Sequence, residues 1–396
     1  MTSYIELEKA ISPISLSSFE NDYFEKKPLL ISRENPSYFR DLLSIEDIDT
    51  YLERKDIRYP AIRLVKDGLE LPQTDYLKNL PFGNQTFDRV IDNDRLFTLF
   101  GEGATIVFQA LHRTLAPLSL FCQKIEKYFS FPLQTNIYLT PQTSQGFAAH
   151  YDNHDVFIFQ THGSKLWKVY DSPIYLPTKP FDKKNWTPTL PQIEVELKEG
   201  DTLYIPRGYV HEAFTTNNVS LHITLGLLTY TWIDILRLLT AGSHKIEKFR
   251  DSYRFDKISE EETKTKMKLL VNQLIDSADY SAVKNEFQTK LIKKALSSDS
   301  GRIKDLININ DLTLNSSLSV RDEINFSITS ENEYLIISFY NKRISLPFYV
   351  TDTITEILNL GSFKIGNIGN KLDDSSKLLL CSKLLKEGLL KLNYDV

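Results

Sequence analysis

The middle of the chain, from about residue 103 to 230, is a succession of short β-type segments separated by turn signals. Residues 156–159, 166–170 and 220–225 are rich in β-branched and aromatic side chains or alternate apolar with polar ones. We expect His162-Gly163-Ser164 to be a turn between two of these segments. Many short strands at regular spacing are typical of a β-sandwich or a β-barrel. The sequence therefore predicts a β-sandwich or β-barrel in this region.

The segments after this β-rich region have different patterns. Residues 231–300 carry apolar side chains at helical spacing, at 232–239 and 267–275, with lysines and glutamates on the other face. Residues 301–396 mix strand and helix signals in a small α+β unit. A length of 396 residues fits two or three domains. We therefore expect an α+β protein with three parts, 1–230, 231–300 and 301–396.

The charge balance of the chain bears on its partners. Lys and Arg number 47 and Asp and Glu number 52, which gives a formal net charge of −5. A protein that neutralises many phosphates usually has a basic excess, although a local basic groove is compatible with this total. We therefore expect no nucleic-acid partner.

The cysteines and the first residues indicate the compartment. Cys122 and Cys381 lie far apart, which argues against a disulfide scaffold and against a thiolate metal cluster. Glu6, Glu8 and Lys9 interrupt any apolar run near the N-terminus, so we expect no secretory signal. No apolar stretch approaches the roughly 18 charge-free residues of a membrane-spanning helix. These features predict a cytoplasmic protein without membrane association.

The densest group of chemically active side chains is His150-Tyr151-Asp152, which His211 follows much later. Side chains two positions apart in a β-strand face the same side, so His150 and Asp152 can present an imidazole and a carboxylate together. His211 follows the turn Pro206-Arg207-Gly208 and could enter from a neighbouring strand. Two imidazoles and one carboxylate form the facial triad of non-haem Fe(II) oxygenases, which leaves metal positions open. Taken alone, a His-x-Asp pair is more often two surface residues beside a turn.

The sequence around His211 favours the metal interpretation. Gly200-Asp201 precedes a short apolar segment, and Pro206-Arg207-Gly208 then leads towards His211. This order of Gly-Asp, Pro-x-Gly and His recurs in cupin barrels, in which the proline–glycine turn delivers a ligand to the interior. The chain has seven histidines in all, so a histidine–metal site has few other candidates.

Longer motifs carry a resemblance to a known family. They are Asn136-Ile137-Tyr138-Leu139-Thr140-Pro141, Gln145-Gly146-Phe147, His150-Tyr151-Asp152, Lys165-Leu166-Trp167 and Ser220-Leu221-His222-Ile223-Thr224-Leu225-Gly226. These stretches resemble the JmjC-type ribosomal oxygenases, which are Fe(II)- and 2-oxoglutarate-dependent enzymes of the cupin superfamily. Tyr23-Phe24-Glu25-Lys26-Lys27-Pro28-Leu29 is similar to the N-terminal segment of that family. The resemblance implies a double-stranded β-helix barrel with flanking helices in 1–230, a helical dimerisation region in 231–300 and a winged-helix-like domain in 301–396.

The resemblance also implies roles for individual residues. His150, Asp152 and His211 match the iron ligands of the family, and Lys165 matches the basic residue that pairs with the distal carboxylate of 2-oxoglutarate. An ammonium group can hold one carboxylate end by a charge-assisted hydrogen bond. The alternative for Lys165 is a solvated lysine in a turn, which is the commoner environment of this residue type. Related members have arginine here, so Lys165 places the chain nearer the branch that includes histidine hydroxylases.

Further residues match positions near the co-substrate. Asn136 and Tyr138, two apart on one strand face, match polar residues of the co-substrate pocket; the alternative is polar core groups satisfied by the backbone. Ser220 and Thr224 either contact the co-substrate or simply occupy a barrel strand. Gln109 is a candidate for the substrate channel.

Two nearby histidines are interpreted without a special function. His154 follows Asp152 by two residues, but the triad is complete without it. His222 is expected to be an ordinary barrel histidine.

The same resemblance implies an activity. The chain is expected to be a 2-oxoglutarate-dependent hydroxylase that uses Fe(II), 2-oxoglutarate and O2. The family hydroxylates side chains of ribosomal proteins, so a protein or peptide substrate is favoured, while a small peptide or a metabolite stays open. A homodimer is expected from the helical region.

Two other functions stay open from the sequence. The first is a metal-binding cupin that performs no oxidation, which Lys165 together with an intact His-x-Asp motif disfavours. The second is a regulator whose C-terminal winged-helix-like unit binds DNA or protein. Residues 301–396 contain 11 Lys and Arg against 12 Asp and Glu, whereas a DNA-recognition helix normally lies in a basic patch. We therefore expect a structural or protein-binding unit.

Overall fold

The computed structural model describes residues 5–181, 186–294, 300–321 and 324–394. The chain divides into two compact units, Met1–Thr229 and Tyr230–Val396. Within the described residues, no helix is both long enough and apolar enough to cross a membrane.

The first unit is built around antiparallel strands. Its strands are β1 (Leu29–Ile31), β2 (Ile62–Lys66), β3 (Leu69–Glu70), β4 (Leu77–Phe82), β5 (Gln85–Ile91), β6 (Thr105–Gln109), β7 (Leu133–Thr140), β8 (Asp155–Val169), β9 (Ile193–Lys198), β10 (Thr202–Ile205), β11 (His211–Phe214) and β12 (Ser220–Leu227). Its helices are α1 (Ile5–Ile11), α2 (Leu16–Ser18), α3 (Ile45–Leu52), α4 (Asn93–Gly101) and α5 (Ala116–Phe129).

Most of these strands belong to a single sheet. In the described residues ten strands join in the order β1-β10-β8-β12-β7-β6-β2-β3, with β9 and β11 paired to β8 beside this path. Every pairing in the sheet is antiparallel. The β-rich architecture that the sequence predicts for this region is therefore confirmed.

Strand β8 is shared between two groups of strands. Its first half pairs with β10 and β12, and its second half pairs with β9 and β11. The turn predicted at His162-Gly163-Ser164 is therefore wrong, because the strand continues through these residues. Gly163 has a φ of 64°, and a Cβ atom there would lie 1.8 Å from the carbonyl oxygen of Val219. This close approach of two backbones requires glycine.

Alternation of side chains separates a packed face of the sheet from a cavity face. On β12, Leu221, Ile223 and Leu225 are fully buried in the main hydrophobic core, whereas His222 and Thr224 face a cavity. The same alternation holds on β7 and in the first half of β8. Because side chains in a strand alternate with a period of two, one face can build the core while the other remains available for a site.

Helix α5 contributes to that core. Leu118, Phe121 and Cys122 recur at helical spacing along it and are buried in the cluster. The helix ends where Ser130 adopts the left-handed conformation, a common way to terminate a helix.

The second unit contains helices followed by a small α+β part. Its helices are α6 (Trp232–Ala241), α7 (Glu260–Asp276), α8 (Tyr280–Lys294), α9 (Arg302–Ile307), α10 (Thr351–Leu360) and α11 (Asp374–Glu387). Its strands are β13 (Ser317–Val320), β14 (Phe326–Glu331), β15 (Tyr334–Phe339), β16 (Lys342–Pro347), β17 (Ser362–Lys364) and β18 (Leu390–Leu392). They form two three-stranded sheets in the described residues, β17-β13-β18 and β14-β15-β16.

A hydrophobic core of its own holds the α+β part together. Ile337 and Phe339 of β15 pack in one cluster with Ile354 of α10 and Leu384 of α11, and all four are fully buried. Arg321 and Asp305 form an ion pair whose side chains are each 3% exposed. The polar interaction therefore lies in the interior of this part.

The predicted elements of the second unit agree with the structure. The helical patterns at 232–239 and 267–275 lie within α6 and α7, and the region 301–396 contains both strands and helices, as expected of a small α+β unit. Strand β14 and helix α8 are not apparent from the sequence pattern.

Candidate metal centre

Three potential metal ligands converge at one end of the first unit. His150, Asp152 and His211 each offer one ligand atom, and these atoms all lie within 4.8 Å of one another. The imidazole centroids of the two histidines are 4.7 Å apart, and Nε2 of His211 lies 3.7 Å from Oδ2 of Asp152. The predicted grouping of these residues is thus present in the structure.

The backbone brings these ligands together in a different way from the one expected. His150 and Asp152 do not lie in a regular strand, so that part of the prediction is wrong. Instead, His150 forms a single antiparallel bridge with His211, the first residue of β11, through two backbone hydrogen bonds of 3.1 and 2.8 Å. The bridge places both imidazoles on adjacent backbone segments, and Asp152 follows two residues later.

Hydrogen bonds to the backbone fix the imidazole tautomers. Nδ1 of His150 lies 2.8 Å from the carbonyl oxygen of Ala148, and Nδ1 of His211 lies 3.1 Å from that of Tyr209. Because a carbonyl only accepts, each Nδ1 carries a proton, which leaves Nε2 as the nitrogen that can bind a metal. Burial, and next the neighbouring His150, lower the pKa of His211 to about 4, so this ring is neutral at pH 7. Two imidazoles and a carboxylate fit Fe(II) and leave metal positions open.

The ligands lie in the wall of a cavity of about 330 Å³. Inward-facing side chains of β7, β8 and β12 form much of the rest of the wall. Four residues predicted to bind the co-substrate are among them: Lys165, Asn136, Tyr138 and Thr224.

Lys165 is the cationic group in the interior of this cavity. Its side chain is 3% exposed, and its Nζ donates a 2.9 Å hydrogen bond to Oγ1 of Thr140. Burial lowers the pKa of Lys165 to about 7. In the described part of the chain, no carboxylate forms an ion pair with it. The alternative of a solvated turn lysine is therefore wrong, and a buried ammonium of this kind suits an anionic ligand.

Several polar atoms of the cavity wall lack partners. Oδ1 of Asn136, Nε1 of Trp167 and Nδ1 of His222 are buried and form no hydrogen bond with the described residues. The His222 ring stacks on Tyr138 at 5.0 Å, with 9° between the planes. Because buried polar groups in folded proteins are almost always paired, these atoms point to a ligand or water in the cavity. His222 is thus part of the wall, which the interpretation as an ordinary barrel histidine missed.

Two other candidates lie away from the cavity. Ser220 is fully buried, and its Oγ accepts a 2.9 Å hydrogen bond from Nε2 of Gln160. Ser220 does not line the cavity, so the structure does not bring it to the expected co-substrate position. Gln109 also lies outside the lining. In the amide orientation that gives both of its polar atoms a partner, the Gln109 oxygen accepts hydrogen bonds from the guanidinium of Arg63. Arg63 does line the cavity.

Arg63 has no local sequence signal. It lies on β2, and only the pairing of β2 with β6 brings it to the cavity. Its guanidinium forms a 3.2 Å ion pair with Glu70 on the neighbouring strand β3. A positive charge held in this way adds to the attraction of the cavity for anionic groups.

His154 lies against the backbone of β12. It lines the cavity, and a Cβ atom at Gly226 would lie 2.4 Å from Cδ2 of its ring. Glycine at position 226 therefore makes room for the imidazole of His154.

Replacing Gly226 by Ala is expected to lower the free energy of unfolding by about 1–3 kcal/mol, because the new methyl group overlaps the His154 ring. Urea unfolding measures this change. The control Gly101→Ala lies at the end of α4 with no atom within 4 Å of its Cβ position, and should not destabilise the protein. The double variant Gly226→Ala/His154→Ala should regain most of the lost free energy of unfolding. A double variant as unstable as Gly226→Ala would contradict the assigned contact.

Comparison with known proteins agrees with this geometry. Residues 111–235 match the family described as JmjC domain. The bifunctional lysine-specific demethylase and histidyl-hydroxylase NO66 of Aedes aegypti is 34% identical over 239 residues, which are 58% of this chain and 35% of that protein. Ribosomal oxygenase 2 of Mus musculus is 31% identical over 239 residues, 58% of this chain and 49% of that protein. The chain thus spans between a third and a half of the length of these relatives.

Solved structures share the fold over nearly the whole chain. The ribosomal oxygenase YcfD of Escherichia coli matches with a TM-score of 0.55 and 16% identity, over 96% of this chain and 98% of that chain. YcfD in complex with cobalt and 2-oxoglutarate matches with a TM-score of 0.55 and 15% identity, over 96% of this chain and 99% of that chain. The first unit therefore has a JmjC/cupin-type fold, within which residues 111–235 match the JmjC domain. The resemblance to the JmjC-type ribosomal oxygenases, which the motifs indicated, is confirmed.

Proposed function

We propose that the chain is an Fe(II)- and 2-oxoglutarate-dependent dioxygenase that hydroxylates a side chain of a protein or peptide. The observation that carries the proposal is that His150, Asp152 and His211 lie in one cavity with the buried Lys165. A metal-binding set with open positions beside a buried cation suits an anionic co-substrate that chelates the metal. The names histidyl-hydroxylase and ribosomal oxygenase, and the complex of YcfD with cobalt and 2-oxoglutarate, support the same function.

The ligand residues and Lys165 have separate tasks in this proposal. Nε2 of His150, Nε2 of His211 and the carboxylate of Asp152 hold the iron. Iron and 2-oxoglutarate, when bound, supply the activation of O2 that places one oxygen atom in a C–H bond and leaves succinate and CO2. Lys165, held by Thr140, binds the distal carboxylate of the co-substrate and so fixes its orientation.

The other wall residues orient the co-substrate and exclude water. Trp167 offers its unpaired Nε1–H group to an oxygen of the co-substrate, and Asn136, Tyr138 and Thr224 line the same space. The aromatic surface of Phe147 adds an apolar wall near the ligands, since its ring centroid lies 5.9 Å from that of His150. Electrostatic interactions strengthen when water is excluded from such a site.

For the substrate, we favour a basic protein of the ribosome. The formal net charge of −5 suits a basic partner. The relative named ribosomal oxygenase supports a ribosomal target, and the relative named histidyl-hydroxylase supports histidine as the modified residue. Lys165 in place of arginine agrees with the histidine-hydroxylase branch. These relatives are much longer than the matched region, so the same activities are proposed for this chain.

We assign the catalytic domain to 1–230, a dimerisation region to 231–300 and a winged-helix-like domain with a structural or protein-binding role to 301–396. Support for a homodimer comes from α6, which buries no side chain in the described structure and exposes Trp232 by 80% and Leu236 by 53%. Apolar helix surfaces of this kind commonly mark interfaces.

We place the protein in the cytoplasm. Cys122 and Cys381 are both buried free thiols, which suits a reducing compartment.

Replacing Trp232 and Leu236 together by Glu is expected to convert the dimer to a monomer, because two charges would enter an apolar interface. Light scattering at micromolar concentration measures the mass. The control Leu190→Glu changes a residue that is 89% exposed in the first unit and should leave the mass unchanged. A monomeric parent protein, or a double variant that stays dimeric, would contradict the interface.

Succinate formation tests the proposed activity directly. Purified protein is incubated with Fe(II), ascorbate, 2-oxoglutarate and a peptide pool from ribosomal proteins, and succinate is quantified. The proposal predicts succinate in a one-to-one ratio with hydroxylated peptide. A cupin that binds metal without oxidising anything would form no succinate with any peptide, and that result would overturn the function.

A further inference from the structure

A largely buried group of charged and polar side chains lies next to the candidate metal centre but outside its cavity. The group, named here the Arg207 cluster, consists of Glu25, Asp155, Tyr204 and Arg207. Arg207 forms 2.7 Å ion pairs with both Asp155 and Glu25, and it donates a 2.9 Å hydrogen bond to Thr229. The Tyr204 hydroxyl donates to Asp155 at 2.9 Å and accepts from the backbone N–H of Glu25 at 2.9 Å.

The cluster joins the two backbone segments that carry the metal ligands. Asp155 comes three residues after Asp152, and Arg207 comes four residues before His211. Between them, the backbone N–H of Gly208 donates a 3.0 Å hydrogen bond to the carbonyl oxygen of Asp152. The two ligand-bearing segments are therefore joined at both ends. The backbone bridge between the two ligand histidines joins them at one end, and the ion pair between Asp155 and Arg207 joins them at the other.

The Asp152 carboxylate has no fixed position of its own. In the described part of the chain it accepts no hydrogen bond, and Nε2 of the neutral His211 ring lies 3.7 Å from its Oδ2. Its distance from the two imidazoles therefore depends on the backbone on either side. Arg207 is 6% exposed and Asp155 is fully buried, so water cannot take over the interaction between them.

The N-terminal segment completes the cluster. Glu25 supplies the second carboxylate for Arg207, and the Tyr209 hydroxyl donates a 2.9 Å hydrogen bond to the carbonyl oxygen of Lys26. Residues far apart in the sequence thus contact the turn that leads into His211. A guanidinium can satisfy two carboxylates at once because its donors point outward in a rigid, planar fork.

We propose that the Arg207 cluster is a positioning device for the metal centre, in which Arg207 sets the distance between Asp152 and His211 and thereby the metal affinity. The proposal rests on the proposed function, because it requires a metal at His150, Asp152 and His211. Arg207 touches neither the metal nor the cavity wall, so it acts through the ligands. Outer partners of this kind typically change metal affinity by about 10–100-fold.

The test is a titration of the full chain with Co(II). Isothermal calorimetry measures the affinity, and the visible absorption spectrum of the bound ion is recorded in the same titration. Arg207→Lys keeps the charge but cannot reach Glu25 and Asp155 with one planar fork. We expect it to weaken Co(II) binding by about tenfold and to change the absorption spectrum. The matched control is Arg321→Lys, which makes the same change in the buried Arg321–Asp305 pair of the second unit. It should leave both the affinity and the spectrum unchanged.

A second variant keeps the test informative if Arg207→Lys fails to fold. Glu25→Gln removes one arm of the cluster at a side chain that is 31% exposed and leaves the Asp155–Arg207 pair in place. We expect a smaller loss of affinity in the same direction. Parent-like affinity and spectrum in the folded variants, or an equal loss in Arg321→Lys, would overturn the positioning role alone. A parent protein that binds no Co(II) would overturn the proposed function as well.

Discussion

Turnover of 2-oxoglutarate is expected to fall by more than about 100-fold when His150 or Asp152 is replaced by Ala, because loss of a mere supporting residue already costs about 10–100-fold in metal affinity or activity. The two side chains supply two of the three ligand atoms that lie within 4.8 Å of one another. When one of these side chains is missing, the site retains too few metal ligands to hold Fe(II) at neutral pH. Succinate release with saturating Fe(II) measures the effect, and calorimetry with Co(II) measures the loss of metal binding.

The control for this experiment is His244→Ala. His244 lies in the second unit, where its Nδ1 contacts the carbonyl oxygen of Ala241, and it is exposed. Its removal should leave turnover and Co(II) binding unchanged. Activity that survives in both His150→Ala and Asp152→Ala would mean that the metal centre lies elsewhere.

Lys165→Ala is expected to raise the Kd of 2-oxoglutarate by about 10–160-fold, because a hydrogen bond to a charged group contributes about 1.5–3 kcal/mol. The ammonium of Lys165 is buried, and its hydrogen-bond acceptor is Thr140. Calorimetry with 2-oxoglutarate and Co(II), in the absence of oxygen, measures this affinity. Co(II) binding in the absence of 2-oxoglutarate should stay the same, because Lys165 is not one of the metal ligands.

The same lysine predicts a pH dependence of co-substrate binding. In the empty cavity, burial lowers the pKa of Lys165 to about 7, whereas a bound carboxylate favours the charged form and raises it. Binding of 2-oxoglutarate therefore takes up a proton above pH 7. Its affinity should be constant below this pH and weaken by up to about tenfold per pH unit above it.

Lys165→Arg is the matched control for the pH experiment. A guanidinium stays protonated over the whole range, so the slope above pH 7 should disappear while binding is retained. A slope that is the same in the parent protein and in Lys165→Arg would show that another group takes up the proton. An affinity of the parent protein that does not change with pH would contradict the assignment of Lys165.

The site residues with a local motif could be predicted from the sequence. His150 and Asp152 are two residues apart, and His211 follows a turn that positions it, so their grouping needs little knowledge of the whole fold. Lys165 is recognisable only through the resemblance, because a lysine after a glycine usually faces solvent. The structure explains its burial, since the second half of β8 turns its side chain into the cavity.

For the residues that could not be predicted, access to the cavity depends on strand pairing or on the position of the residue along the strand. Arg63 reaches the cavity only because β2 pairs with β6. Ser220 and His222 share a strand and its parity, yet His222 lines the cavity while Ser220 pairs with Gln160 beyond it. Alternation determines which face a side chain occupies, but not its position along the cavity axis.

The fold shows the same limit at His162-Gly163-Ser164. A glycine after a β-type segment favours a turn, but here the strand continues through a left-handed glycine and changes partners. Whether a glycine ends a strand or bends it depends on the backbone that approaches it, in this case that of Val219.

The central claim is that the cavity hydroxylates a side chain of a protein. Mass spectrometry of proteins from cells with the gene, without it, and with the gene carrying Asp152→Ala tests this claim most directly. We expect a peptide that gains the mass of one oxygen atom in the first sample and lacks this gain in the other two. An identical set of peptide masses in all three samples would contradict the account.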